Sequence, residues 1–575
     1  MADTSSKYEH SLMQFKVKVV DKEFVTKDER VFKNTANVFF YNNLGKIVEI
    51  KEYGWIDKSE VYTLITEKQD INLNNCYVSD FSLVEYRKQN NLSEHAKVHL
   101  QNFSAKNSFF DCDVRIDLSY AIFDGDKTSF ESSIFGNGYV DFSNSDFGHG
   151  QVSFKRTIFG EGGINFQFVE FGTGNITFQY SNFGHGDVSF VNTNFSHGNT
   201  DFKFATFGDG NIDFKYAKFS EGDVSFEKAI FGRGKKDFKN LEFGGGKIDF
   251  RRVEFNDGDV SFDGVEFGNG KVSFRSSSFG HGEKTFKETD FGVGEVQFDQ
   301  VDFGSGKVSF NGAKSDVISF KNCPLNAFMD LHFSECNLID FGNTVVRDIL
   351  DLMPEDNAVH IKEMNIVGMR ILGKLFIDWR KNGVYNLIYS QKETSLIQKA
   401  EQFRILKENF RNNGQYEDED FAYLEFKRCE SKAHLEEKIK KGGVESISGH
   451  INYYFQRYVF DFVGRYATDP VRVLTNMFLA WLGYSFIYFI FSISDYLEKY
   501  GHVVAGGAET VMFTKLSMLG ALGNSMYYSG ITFFTIGYGD FFAWGLLKPV
   551  AVFEGFSGVF LMSYFTVAFV RKILR

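Results

Sequence analysis

The sequence predicts a multidomain chain in which a β-solenoid is followed by an α-helical linker and an all-α membrane domain. Three observations carry that prediction. Phe recurs every twelve residues through the middle of the chain, apolar residues then take a helical spacing, and two apolar stretches near the end are long enough to cross a bilayer. At 575 residues the chain is too long for one compact globule. Only 4 Pro against 55 Gly and 69 Phe excludes collagen-like, proline-rich and most disordered classes. Cys76, Cys112, Cys323, Cys336 and Cys429 form no CxxC pair, so neither a disulfide scaffold nor a thiolate zinc site is expected, and a reducing compartment suits them. A net charge of −12 argues against a nucleic-acid partner held through phosphate contacts.

Residues 1–97 read as a small β-rich cap. Phe15, Val17 and Val19 alternate with Lys16 and Lys18 as in a half-buried strand, and residues 38–50 around NNLGK read as a hairpin. No basic stretch followed by an apolar core opens residues 1–15, so no signal peptide is expected and this region stays inside the cell.

A repeat fills residues 98–345. One Phe series runs from position 123 to 303 and a second from 130 to 310, both at a period of twelve, giving sixteen units of consensus F-G-x-G-x-[VI]-x-F-x-x-x-x. Fixed periodicity of this kind marks a solenoid, in which identical positions superpose on neighbouring coils and Phe fills the interior. A small or β-branched residue stands two places before Phe, as at Val152 and Ala217, and a five-residue register shows at Ile116, Leu118, Ala121 and Phe123. On these residues the segment 98–341 resembles the pentapeptide-repeat family, departing from it by a two-residue insertion in every second pentapeptide. The resemblance implies a right-handed quadrilateral β-helix with two repeats, 24 residues, per coil. Its rod would then be roughly 40 Å long at about 4.8 Å per coil, and a twelve-residue coil would double that.

The glycines of the G-x-G turns read as corners requiring positive φ. Calcium is disfavoured there, because the position that would need Asp is Val or Ile in 12 of 16 units. His149, His185, His197 and His281 lie at these turns without a regular series or carboxylate partners, so no metal ligand is assigned.

Residues 346–395 read as the end cap of the solenoid, with Leu331, Phe333, Cys336 and Leu338 continuing the coil before it and closing strands over 364–379. A helical hairpin is expected over 396–446. Ile397, Ala400, Phe403, Leu406 and Phe410 share one helical face with Gly414 as the stop, and a second helix with an acidic start and basic end stops at Gly442. Within residues 447–470, Ile451, Tyr454, Phe455, Tyr458, Val459, Phe462 and Val463 follow helical spacing opposite Arg457, Asp461 and Arg465, the pattern of a helix lying at a lipid interface.

Residues 471–575 form the membrane domain. Residues 474–492 carry no charge and 550–570 only Glu554, so both can span a bilayer. Arg465 and Arg472 precede the first span, while Arg571, Lys572 and Arg575 follow the second. The positive-inside rule therefore places both termini in the cytosol. Between the spans lies NSMYYSGITFFTIGYGDF, residues 524–541. Its Thr535, Ile536, Gly537, Tyr538 and Gly539 look like the selectivity filter of potassium channels, and residues 474–575 resemble the two-span members of that family. The resemblance implies four copies around an axis, backbone carbonyls and the Thr535 hydroxyl replacing the hydration shell of potassium, and a pore helix over 524–534. It also implies filter support from Thr532 and Asp540, with Tyr538 and Asp540 pointing away from the axis, and gating-hinge candidates at Gly555 and Gly558. Close helix packing is the other reading of the two glycines. Glu554 is an ionisable group inside a span, and bracing the back of the filter is its expected role.

The resulting expectation is a multidomain chain: a cytosolic right-handed β-helix, an α-helical linker and an all-α transmembrane pore domain. It would act as a homotetrameric potassium channel in a cell membrane of bacterial inner-membrane type. Potassium and membrane lipid are the expected partners, potassium as the permeant ion; no cofactor, catalytic residue or enzymatic activity is expected, and the ligand of the β-helix is open. Neither span repeats a basic residue every third position, so no voltage sensor is expected, nor is a calcium-binding ring after the pore. The rod and hairpin would bias the inner helix through the interfacial helix. A weakly selective cation pore is one alternative, and a membrane-tethered acidic rod that mimics DNA is another.

Overall fold

The computed structural model describes residues 14–42, 44–354, 360–494, 496–506 and 517–574. The opening of the expected cap, residues 1–13, and Arg575 of the basic terminus lie outside them. The chain divides into two compact units, Met1–Glu393 and Thr394–Arg575.

In the first unit, strands Gln14–Val20, Thr35–Tyr41 and Ile47–Ile56 pair antiparallel, as the alternation and the hairpin reading require. Ile47–Ile56 then pairs parallel with Cys76–Ser79, which pairs with Phe109–Asp111 and through it with Ile134–Phe135. The cap sheet therefore runs into the solenoid across residue 97 and covers its open end around Ala36, Val38, Phe40, Tyr77 and Phe109. Helices α1 (Lys58–Thr66) and α2 (Leu83–Gln89) start on Asp57 and Ser82, whose side chains accept N–H bonds from the first turn.

Through the regular repeats the solenoid pairs a strand with the one 24 residues on: Val140 with Ile164, Ile164 with Val188, Val152 with Ile176. One coil is thus two repeats, which decides between the two coil sizes. Two faces are continuous parallel sheets of 12 and 14 strands, and the others carry short ladders and single bridges such as Ile134 to Ile158. With a 24-residue coil, the two Phe series resolve into four stacked columns. Rings stack 4.9 Å apart at 4° in Phe130–Phe154 and 5.0 Å apart at 7° in Phe142–Phe166, while neighbouring columns meet edge-on, as in Phe142–Phe154 at 5.5 Å and 88°. Stacked and edge-on pairs each add about 0.5–1.5 kcal/mol beyond the area they bury.

The G-x-G turns correct one expectation. Several first glycines have positive φ, among them Gly148 and Gly172, yet most second glycines, such as Gly174, Gly198, Gly222 and Gly246, do not. A Cβ on any of these four would run into the backbone of the glycine one coil below, so close approach of stacked chains excludes a side chain there. The left-handed residue falls instead two places after the second Phe of each unit. It is seldom glycine: Ser132, Asn144, Arg156, Phe168, Tyr180 and their successors all lie near φ +57°. The interlocked coils hold an unfavourable backbone region that sequence preference would not assign.

Two core positions also break the pattern. Lys236 and Lys284 replace Val or Ile, pair with Val260 from either side and are fully buried. The Lys236 ammonium donates to Asp257 O at 2.5 Å, and that of Lys284 to Gly280 O at 2.6 Å and Ser305 O at 2.5 Å. Burial pushes both down from 10.5 to about 8. A base whose folded pKa lies below its unfolded one weakens the fold when charged. The penalty is full below pH 8, shrinks between 8 and 10.5 and vanishes above. Lys236→Ile is therefore expected to stabilise the protein at neutral pH by about 1–3 kcal/mol. Thermal melts across pH test this, and a gain that does not shrink towards pH 10.5 would contradict it.

Strands Ile361–Asn365, Arg370–Ile371 and Lys374–Phe376 close the solenoid, followed by α3 (Val384–Tyr389).

The second unit begins with α4 (Leu396–Asn412), started by a Ser395/Gln398 capping box, and α5 (Tyr416–Lys441). Ala400, Phe403, Leu406 and Phe410 are buried as expected, but Ile397 is exposed because it occupies the first turn, beyond the packed length of the hairpin. Helix α6 (Gly443–Phe455) runs into a π-helical segment, Gln456–Phe462. The apolar face Ile451, Tyr454, Phe455, Tyr458 and Phe462 is exposed. Then come α7 (Pro470–Ile493), α8 (Met518–Phe533) and α9 (Leu547–Ile573). Helices α7 and α9 are long and apolar enough to cross a membrane.

Candidate functional site

Helix α8 starts on Ser517, whose hydroxyl accepts from Gly520 N–H, and ends at Phe533, one residue before the irregular TIGYG segment, 535–539. The helix end positions that segment. Thr535 N–H donates to Thr532 O at 3.1 Å, and Ile536 N–H and Gly537 N–H both donate to Ile531 O, at 2.8 and 3.1 Å. Thr532 thus supports the segment through its carbonyl. Along the segment φ is +57° at Thr535, +57° at Gly537 and +78° at Gly539, and negative at Ile536 and Tyr538 between them. Left-handed and right-handed residues thus alternate along this segment. Glycine takes the left-handed values without a Cβ penalty, whereas Thr535 holds one at a cost of about 1–3 kcal/mol. No sequence rule flags Thr535 as left-handed.

The carbonyls of residues 535–539 accept no hydrogen bond from a described residue, and the Thr535 hydroxyl donates to Phe534 O at 2.7 Å. Residues 535–539 are exposed, so these carbonyls are open to solvent or to a ligand. Ile536 and Tyr538 are 51% and 72% exposed in the single chain. Asp540 is held off the segment by Tyr527 of α8, whose hydroxyl donates to it at 2.8 Å. Beyond it, Phe541–Gly545 pairs antiparallel with Gly501–Ala505, pinning the outer end of the segment.

Glu554 of α9 is fully buried where the three helices meet. It accepts from Tyr488 Oη of α7 at 2.6 Å and from Ser529 Oγ of α8 at 2.5 Å. It therefore ties α7 and α8 to α9, and its bonds go to these helices rather than to residues 535–539. Sequence reasoning missed both partners, although a tyrosine buried in an apolar span must satisfy its hydroxyl somewhere. Trp481 of α7 adds a second tie, donating to Met526 O at 3.2 Å. Of the two hinge candidates, Gly558 lies against the end of α8, where a Cβ would run into Phe533 O, whereas a Cβ at Gly555 would come no nearer than 3.8 Å to Thr532 O. Helix α9 runs unbroken through both.

The inner end of α9 is tied to the linker. Asp420 of α5 pairs with Arg571 at 3.0 Å and Lys572 at 2.7 Å, and Arg571 also lies over the Tyr423 ring. Arg428 of α5 grips Asp461 of the π-helical segment with two bonds of 2.8 Å, and this hydrogen-bonded carboxylate raises the Arg428 pKa. Arg465, Tyr466 and Ala467 form a left-handed corner before α7. Tyr564 of α9 holds that corner, donating to Phe460 O and accepting from Ala467 N–H, each at 2.8 Å.

At the turns of the solenoid, His281 meets Ser305 Oγ at 2.5 Å and His185 accepts from Asp209 N–H at 3.4 Å. Among the described residues no cluster of His, Cys, Asp or Glu could hold a metal ion.

Two helices able to cross a membrane, flanking a short helix and a segment whose carbonyls accept no bond from a described residue, form a domain of pore-loop layout. Its sequence agrees: a family model described as an ion channel matches residues 501–575. This chain thus carries an ion-channel domain of the two-span type at its carboxyl end, joined to a parallel β-solenoid. No curated protein and no solved structure matches the chain.

Proposed function

We propose that the chain is a potassium-selective channel in which four copies line one pore with residues 535–539. The TIGYG segment at the end of α8, with alternating φ and carbonyls that accept no bond from a described residue, carries this reading. One such segment cannot surround an ion, and the exposure of Ile536 and Tyr538 in the single chain fits burial against neighbouring copies. The exposed face of α6 and the π-helical segment would lie in lipid at the cytosolic surface, with both termini on that side. The gate, in this reading, is biased by α5, which holds the segment before α7 through Asp461 and the end of α9 through Arg571 and Lys572.

Reconstitution into liposomes with separate potassium and sodium flux tests both parts. Potassium flux should exceed sodium flux by at least about 100-fold, and Gly537→Ala should lower it, because a Cβ in the left-handed backbone there costs about 1–3 kcal/mol that glycine avoids. Asp420→Asn, which frees α9 from α5, should change flux while leaving the selectivity ratio intact. Equal potassium and sodium flux would replace the first part by an unselective cation pore, and unchanged Asp420→Asn flux would remove the second.

A further inference from the structure

We propose that the solenoid binds a phosphate-bearing anion of two or more charges in a groove on the face made by residues 247–252, 271–276 and 295–300. This groove is independent of the conduction site and of the reading placed on it. It has a volume of about 410 Å³, and its lining holds five cations, Lys247, Arg251, Arg252, Lys271 and Arg275, against one carboxylate, Glu227.

The repeat shows why these cations are unusual. In each coil the residue before the Val or Ile of this sheet, and the two residues after the following Phe, lie at the surface and are free to vary. The equivalent positions are Asn175, Gln179 and Tyr180 in one coil, Asn199, Lys203 and Phe204 in the next, and Asp223, Glu227 and Lys228 in the third. In the next two coils they become Lys247, Arg251 and Arg252, then Lys271, Arg275 and Ser276. The cations are also in register. Ile248 pairs with Val272, Ile248 N–H donates to Lys271 O at 3.0 Å and Arg252 N–H to Arg275 O at 3.0 Å. Lys247 therefore lies above Lys271 and Arg251 above Arg275, one strand spacing of about 4.8 Å apart, where like charges destabilise a sheet.

Local carboxylates do not balance them. Asp249 takes Arg251 at 2.6 Å and Lys247 at 3.3 Å, Glu227 lies 3.6 Å from Arg251, and Glu295 lies 3.3 Å from Lys271. Arg252 and Arg275 are exposed and have no ion pair among the described residues. Two planar guanidinium forks remain, beside the hydroxyl of Ser276 and the amide of Gln300, and such forks match phosphate oxygens in geometry and charge.

Recognition is of phosphate rather than of an attached base. The column leading to Arg252 contains Tyr180 and Phe204, stacked on each other at 4.8 Å, with Arg156 over the first and Lys228 over the second. Both aromatic faces are occupied, which leaves no platform for a nucleobase.

Calorimetric titration of the full-length protein in detergent with inorganic triphosphate is expected to show saturable binding that weakens as salt rises. The double variant Arg252→Ala/Arg275→Ala should bind at least about tenfold more weakly. Lys155→Ala/Arg156→Ala, at the equivalent positions of an earlier coil, should bind like the parent. Both arginines of the first pair are exposed, so its melting temperature should not fall, and triphosphate should raise the melting temperature of the parent alone. A parallel titration with dioctanoyl phosphatidic acid identifies the source. Arginine-dependent binding of that lipid without binding of triphosphate supports the groove and assigns it to a lipid headgroup. Failure of both probes, or a double variant that binds like the parent, overturns the proposal.

Discussion

Replacing Gly558 by Ala is expected to lower flux through the reconstituted protein at least about tenfold and to reduce its melting temperature, because overpacking of one methyl costs about 1–3 kcal/mol. The added methyl has nowhere to go. It would meet Phe533 O, and Phe533 is the last residue of α8, two positions before the left-handed Thr535. Relief of the clash must shift either α9 or the end of the helix that leads into residues 535–539. Gly555→Ala serves as the control, since only Thr532 O at 3.8 Å is near and that is ordinary contact. A hinge at Gly555 would reverse the pattern, with Gly555→Ala impaired and Gly558→Ala close to the parent. Flux and melting measured on both variants separate packing from hinge motion.

Glu554→Leu is the second large effect. The substitution removes the acceptor shared by Tyr488 and Ser529, leaving two hydroxyls buried without it, and should destabilise the domain by about 2–4 kcal/mol. Glu554→Gln keeps one carbonyl oxygen and loses roughly half as much. Because the bond to Ser529 anchors α8, Glu554→Leu should also lower the ratio of potassium to sodium flux. A variant with the parent's melting temperature and ratio would show that the three-helix junction does not need its carboxylate.

Much of this architecture is legible in the residue pattern, for identifiable reasons. The Phe period announces stacking because a solenoid repeats one environment, and the hairpin shows in the spacing of Ala400, Phe403, Leu406 and Phe410. Coil size was not legible, since a twelve-residue period fits coils of one unit or two until strand pairing distinguishes them. The second glycines of G-x-G were misread for a related reason: crowding between coils leaves the same residue type as a positive φ does. In the membrane domain the TIGYG segment and its neighbour Thr532 could be located but not the partners of Glu554. Tyr488 and Ser529 are 66 and 25 residues from Glu554, and nothing local in the chain connects them. The grip of Asp420 on Arg571, across 151 residues, was hidden in the same way.

The mismatch between a twelve-residue unit and a 24-residue coil also governs how this rod can change length. Losing one unit would keep every Phe in phase, yet swing all later loops half a turn around the long axis, carrying the cations of residues 247–276 to the opposite flank. Losing two units would shorten the rod and leave its outward map intact. Length variation that preserves surface features must therefore come in even numbers of units.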